Sequence, residues 1–170
     1  MKRLLATLAV LLLSAFAAFA QDTADESESE TGLALPRFVV LRFGHVNARS
    51  GPGTRYPIEW VYRQQYAPAE IIAEFEDWRK IKDWQGSESW VHKTNVAGKR
   101  YVKIITPGEN NIYAKDDYKS KVIARVEDEA IGEIKKCPVK TSFCLIKFGN
   151  ITGWLPRQNL YGIYPDEIID

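Results

Sequence analysis

After residue 35 one residue pattern runs twice at an offset of about 64 residues, and that repetition limits the fold more than any other feature. Trp90-Val91 followed by Asn95-Val96-Ala97-Gly98 is answered by Trp154-Leu155 followed by Asn159-Leu160-Tyr161-Gly162. Trp78-Arg79-Lys80-Ile81-Lys82 aligns with Phe143-Cys144-Leu145-Ile146-Lys147 if the second copy is one residue shorter at the turn. Gln85-Gly86 and Gly149-Asn150 supply the corresponding turns. A unit of about 60 residues buries only about 60% of its unfolded surface. Two such units, joined by the short connector Lys99-Arg100, therefore gain by packing on each other.

Each unit reads as strands. Phe38-Val39-Val40-Leu41 is a compact β-branched run, and Ile71, Ala73 and Phe75 repeat at period two. Trp78 to Asp83 alternates large apolar with charged residues, and Ser89-Trp90-Val91-His92 resumes after Gln85-Gly86-Ser87. Gly51, Pro52, Gly53 and Pro57 exclude a helix there and mark a long ordered loop. No stretch after residue 20 keeps a 3.6-residue apolar period over three turns. The expected fold is all-β: two small barrels packed together. The expected boundaries are 35–98 and 99–165, with a tail at 166–170.

The N-terminal residues have another character. Lys2 and Arg3, the apolar run Leu4–Leu13 and the small-x-small ending Ala18-Phe19-Ala20 predict a signal peptide over 1–20, cleaved after Ala20. The apolar stretch is short of the roughly 20 residues of a spanning helix. Residues 21–34 open with QDTADESESETG, which holds five acids, no base and no large apolar side chain, and so reads as a disordered acidic leader. Of the chain's 23 Lys and Arg, Lys2 and Arg3 leave with the signal peptide; 21 then face 22 acids, a net charge of −1. That balance excludes a nucleic-acid-wrapping protein, which needs a concentrated basic excess. Cys137 and Cys144 are the only cysteines. An exported chain makes them a disulfide ahead of free thiols, and a metal pair lacks the roughly four ligands zinc takes.

Val46-Asn47-Ala48-Arg49-Ser50-Gly51-Pro52-Gly53-Thr54-Arg55-Tyr56-Pro57, then Asp77-Trp78-Arg79-Lys80-Ile81, then Trp90-Val91-His92, resembles the bacterial SH3 domain family. The match covers residues 38 to 97, and a weaker one runs over about 101 to 163, where Gly153-Trp154-Leu155 is kept and the Gly/Pro loop is replaced by Ala114-Lys115-Asp116-Asp117-Tyr118. Signal peptide plus tandem pair is similar to exported proteins of alphaproteobacteria. Ser89 stands where the resembled pattern has Gly, and a serine tolerates positive φ poorly, so the resemblance implies a reshaped turn there.

The resemblance implies SH3-like barrels with a shallow groove between the long first loop and the later turns. Tyr56, Trp60, Tyr62, Trp78, Trp84 and Trp90 could line it, with Arg49 and Arg55 beside them. Aromatic faces stack on sugar or proline rings, and guanidinium pairs with carboxylates. Trp78 and Trp90 are assigned to the core; Trp84 and Tyr56, beside turns, are assigned to the surface. The expected ligand residues are thus Arg49, Arg55, Tyr56, Tyr62 and Trp84. No base–nucleophile pair is visible around His92 and no room remains for a catalytic domain, so no enzyme, cofactor or metal is expected. The expected function is a periplasmic or secreted binding or scaffold module contacting peptidoglycan or an envelope protein, with the second unit as a brace. The alternative is a structural or regulatory partner of a separate envelope enzyme, without glycan contact.

Overall fold

The computed structural model describes residues 29–170. The expected signal peptide and the leader as far as residue 28 lie outside the described residues. The first unit holds β1 (Arg37–Leu41), β2 (Val46–Arg49), β3 (Ile58–Tyr62), β4 (Pro68–Phe75), β5 (Trp78–Lys82), β6 (Glu88–His92) and β7 (Val96–Ala97). The second holds β8 (Tyr101–Ile104), β9 (Asn110–Tyr113), β10 (Val122–Val126), β11 (Ile131–Lys136), β12 (Phe143–Phe148), β13 (Ile151–Pro156) and β14 (Leu160–Tyr161). Each set forms one seven-stranded antiparallel sheet, in the orders β3-β2-β6-β5-β4-β1-β7 and β10-β9-β13-β12-β11-β8-β14. The second order is the first shifted by seven elements. One-turn 3-10 segments, Lys93–Asn95 and Arg157–Asn159, occupy the same place in each unit.

Period-two alternation fills each sheet's interior from one side. Val39, Leu41, Val46, Ala48, Ala69, Ile71, Ile81 and Val91 form the first core. Val102, Ile104, Ile112, Ile134, Ile146, Leu155 and Leu160, with both cysteines, form the second. Cys137 and Cys144 are bonded to each other, as expected. In the first unit only Glu76 and Asp77 separate β4 from β5, whereas the equivalent connection runs from Cys137 to Ser142 and is closed by that bond. Closing so short a loop restricts the unfolded chain by roughly 2–3 kcal/mol. Cys137 also exchanges backbone hydrogen bonds with Ile169, so the tail at 166–170 is tied to the second unit.

A mixed seam joins the units. The Lys103 ammonium is buried, 3.8 Å from the centre of the Trp84 ring, and donates to Gln64 Oε1 at 2.8 Å. A desolvated cation over an indole contributes about 2 kcal/mol. Tyr161 donates to the Lys82 carbonyl at 2.8 Å and Tyr164 to Glu70 Oε1 at 2.9 Å. Phe38 meets the rings of Tyr161 and Tyr164 at 5.2 and 4.6 Å, and Tyr66 stacks on Tyr101 at 4.7 Å.

The expected reshaped turn at Ser89 is corrected by its position: Ser89 lies inside β6, fully buried, and is not part of a turn. Its counterpart Gly153 shows what the site demands. A Cβ there would stand 2.4 Å from Ile112 Cγ2 and 2.9 Å from the Tyr113 carbonyl oxygen. At the same offset the first unit has Ala48 in place of Ile112, and the smaller neighbour accompanies the larger serine. Gly153→Ala should therefore cost about 1–3 kcal/mol by overpacking. Adding Ile112→Ala should return part of that loss in a double-mutant cycle of denaturant melts; strict additivity would contradict the pairing.

Candidate functional site

The Gly/Pro loop between β2 and β3 is organised by its own side chains. Arg49 Nη1 donates to the carbonyl oxygens of Thr54 at 3.1 Å and Tyr56 at 2.6 Å. The Tyr56 ring lies on Gly51, where a Cβ would sit 2.5 Å from its Cδ1. That glycine is present because a ring replaces its side chain. Arg55 is exposed, with its guanidinium carbon 5.1 Å from the centre of the Tyr56 ring. Of the expected ligand residues, this loop brings Arg49, Arg55 and Tyr56 together; Tyr56 is half-buried and partly spent on holding the loop.

Tyr62 and Trp84 do not join them, and both assignments are corrected. Tyr62 lies in the first core with its hydroxyl donated to Asp83 Oδ2 at 3.1 Å, and burial pushes its phenol up to about 12. Its partner on β2, Val46, faces inward, and directly opposed residues share a face. Trp84 follows β5 at the turn, but the second unit covers it. Lys103 stands over its ring, and its indole nitrogen is enclosed without a hydrogen-bond partner.

The tryptophans assigned to the core face out instead. In β5, Arg79 and Ile81 are buried; in β6, Ser89 and Val91 are. Alternation then puts Trp78, Lys80, Lys82, Trp90 and His92 on the opposite side. The register makes this one surface: Trp78 lies opposite His92, and Lys80 opposite Trp90. Trp90 is in turn opposite Arg49, and Arg49 opposite Ile58. Across four strands the outward row is Ile58, Arg49, Trp90, Lys80. Exposed Phe75 extends the face beside Trp78, and the Trp78 and His92 rings meet edge-on at 5.4 Å. Sequence carried the clue to this face, since Trp90 and His92 share one period-two side and Trp78, Lys80 and Lys82 share another.

The same row in the second unit reads Val122, Tyr113, Trp154, Leu145. The tryptophan is kept and both cations are replaced by uncharged side chains. Exposed Tyr118, in the loop that corresponds to the Gly/Pro loop, packs on Phe143 at 4.7 Å. Among the described residues no cluster of three or more His, Cys, Asp and Glu is placed to hold a metal.

Glu74 anchors the back of the first unit. Its carboxylate takes Arg37 at 2.5 Å and Arg79 at 3.2 Å, and accepts from the Ser29 hydroxyl and from the Thr31 amide and hydroxyl. Residues 29–34, expected in the disordered leader, thus begin on the first unit with Ser29 and Thr31 pinned to Glu74. Burial alone would raise the Glu74 pKa, but the hydrogen bonds from Arg37, Ser29 and Thr31 outweigh it and hold the group down at about 2. A folded-state value below the ordinary 4.5 means stability is present above pH 4.5 and lost as pH falls toward 2. Glu74→Gln should cost about 3 kcal/mol at pH 7, because it leaves Arg37 and Arg79 unpaired. That deficit should shrink between pH 4.5 and 2 in thermal melts; a pH-independent deficit would contradict the ion cluster.

A seven-stranded antiparallel sheet packed around one core, with a self-organised loop and an outward aromatic–cationic row, has the form of a small SH3-like β-domain. Residues 44–98, within the first unit, match the bacterial SH3 domain family. Two solved structures are similar at a TM-score of 0.33, NlpC2 and NlpC1 from Trichomonas vaginalis, at 16% and 13% identity. Each covers 74% of this chain, which spans 48% and 45% of theirs, about half. Likeness at that level carries no argument about activity. No curated protein matches the chain.

Proposed function

We propose that this chain is an exported, non-enzymatic binding or scaffold protein of the bacterial envelope, and that its first unit contacts peptidoglycan or an envelope protein. The observation that carries the reading is the outward row of the bacterial SH3 domain, where Trp90 stands between Arg49 and Lys80 with Trp78 and His92 beside them. A strand-borne tryptophan turned away from a filled core supplies flat apolar area, and its cationic neighbours add directional hydrogen bonding. Export is supported by the first twenty residues and by a disulfide, a bond that persists in oxidising compartments. Among the described residues no helix is long and apolar enough to cross a membrane.

The non-enzymatic reading is supported by how the best catalytic candidate is used. His92 caps the 3-10 turn that follows it: its Nδ1 accepts from the Thr94 amide and pairs with the Thr94 hydroxyl at 2.8 Å. A local cap accounts for both contacts. Retention on purified sacculi tests the proposal. Trp90→Ala should lower the retained fraction at least about fivefold, while far-UV dichroism stays unchanged. Wild-type protein that never binds sacculi would overturn the cell-wall reading and leave the protein-partner one.

A further inference from the structure

We propose that the first unit's outward row is built for a short peptide bearing at least two carboxylates, as cell-wall stem peptides do, with an aliphatic stretch lying across Trp90. This rests on the reading of that row as the binding surface. Arg49 and Lys80 are the direct cross-strand neighbours of Trp90, one on each side. Opposed Cβ atoms in antiparallel strands stand about 5 Å apart, so the two cationic side chains leave the sheet about 10 Å apart with the indole between them. A ligand that satisfies both cations must carry negative charge at both ends and apolar atoms in the middle.

The two cations are poised differently, and each remains available. Arg49 spends Nη1 on the Thr54 and Tyr56 carbonyls, which fixes the guanidinium in place. A guanidinium has five N–H donors, so Nε and Nη2 are left for a carboxylate. Lys80 already holds one carboxylate, that of Glu88 at 2.5 Å, with both side chains substantially exposed. An exposed pair of this kind contributes about 0–1 kcal/mol, so an incoming carboxylate can displace Glu88 at little cost.

The second unit is an internal control. Its row keeps Trp154 but has Tyr113 and Leu145 where the first unit has Arg49 and Lys80. The tryptophan therefore belongs to the shared framework, while the cations are particular to one unit and are not required to build the sheet. Carboxylate recognition is assigned to the first unit alone.

The test is a titration of the full exported chain with the stem tripeptide L-Ala–γ-D-Glu–meso-diaminopimelate and with the same tripeptide fully amidated. The readout is the indole N–H resonances of the tryptophans. The free acid should shift the Trp90 resonance and leave Trp154 in place, and amidation should weaken binding at least about tenfold. Lys80→Leu, which installs the second unit's residue, should weaken the free acid by a similar factor with the melting temperature retained. Arg49→Lys, which keeps the charge but loses the fork, should weaken it as well. Equal affinity for acid and amide, no binding of either, or Lys80→Leu binding like wild type would each overturn the proposal. If sacculus retention still falls on Trp90→Ala in those cases, the binding function stands and only its carboxylate chemistry is wrong.

Discussion

The constraint on which the rest depends is the two-residue alternation of β5 and β6. Ile81 and Val91 must face inward, because a sheet this small has few other large aliphatic side chains to fill its centre. Once they do, the pleat sends Trp78 and Trp90 outward whatever their own preference for burial. Arg79 is carried inward by the same rule. Its charge is tolerated because Glu74 and the carbonyls of Glu76 and Trp78 receive it. Core and outward aromatic–cationic face are the two sides of one pattern.

The second unit follows the same plan and shows which features are framework. Strand order, the 3-10 turn and a mid-sheet tryptophan recur. The Gly/Pro loop, the cations and the tight β4–β5 turn do not. The stapled connection that replaces that turn holds the C-terminal residues through Cys137 and Ile169. Those residues in turn wall the seam, with Tyr164 reaching Glu70 and Glu167 held by Arg100. The lost loop and cations belong to the first unit's outward face, and the gained elements are those of mutual support.

Much of the fold was legible in the sequence because it rests on spacing. The 64-residue offset, the turn glycines and the period-two runs located two all-β units, and the cysteine pair was read correctly. The side chains of the outward face were less legible for a physical reason. Size and aromaticity suggest burial, but in a period-two strand burial is decided by the neighbours. Trp90 was assigned inward although Val91 beside it is the better core filler. Trp84 was placed on the surface because it sits by a turn; only the three-dimensional arrangement shows Lys103 of the other unit over its ring. Tyr62 was read as a groove residue because its buried partner, Asp83, lies 21 positions away. The role of Glu74 was hidden for the same reason, since its partners Ser29 and Thr31 come from a segment whose composition reads as leader.

Which tryptophans face water is therefore the most direct thing to measure. Hydroxyl-radical footprinting of the native protein, read tryptophan by tryptophan in the mass spectrometer, reports it without a ligand. Heavier oxidation of Trp78 and Trp90 than of Trp84 is the predicted outcome. Protection of Trp90 with a heavily oxidised Trp84 would mean that the strands present their other side, and would contradict the account at its root.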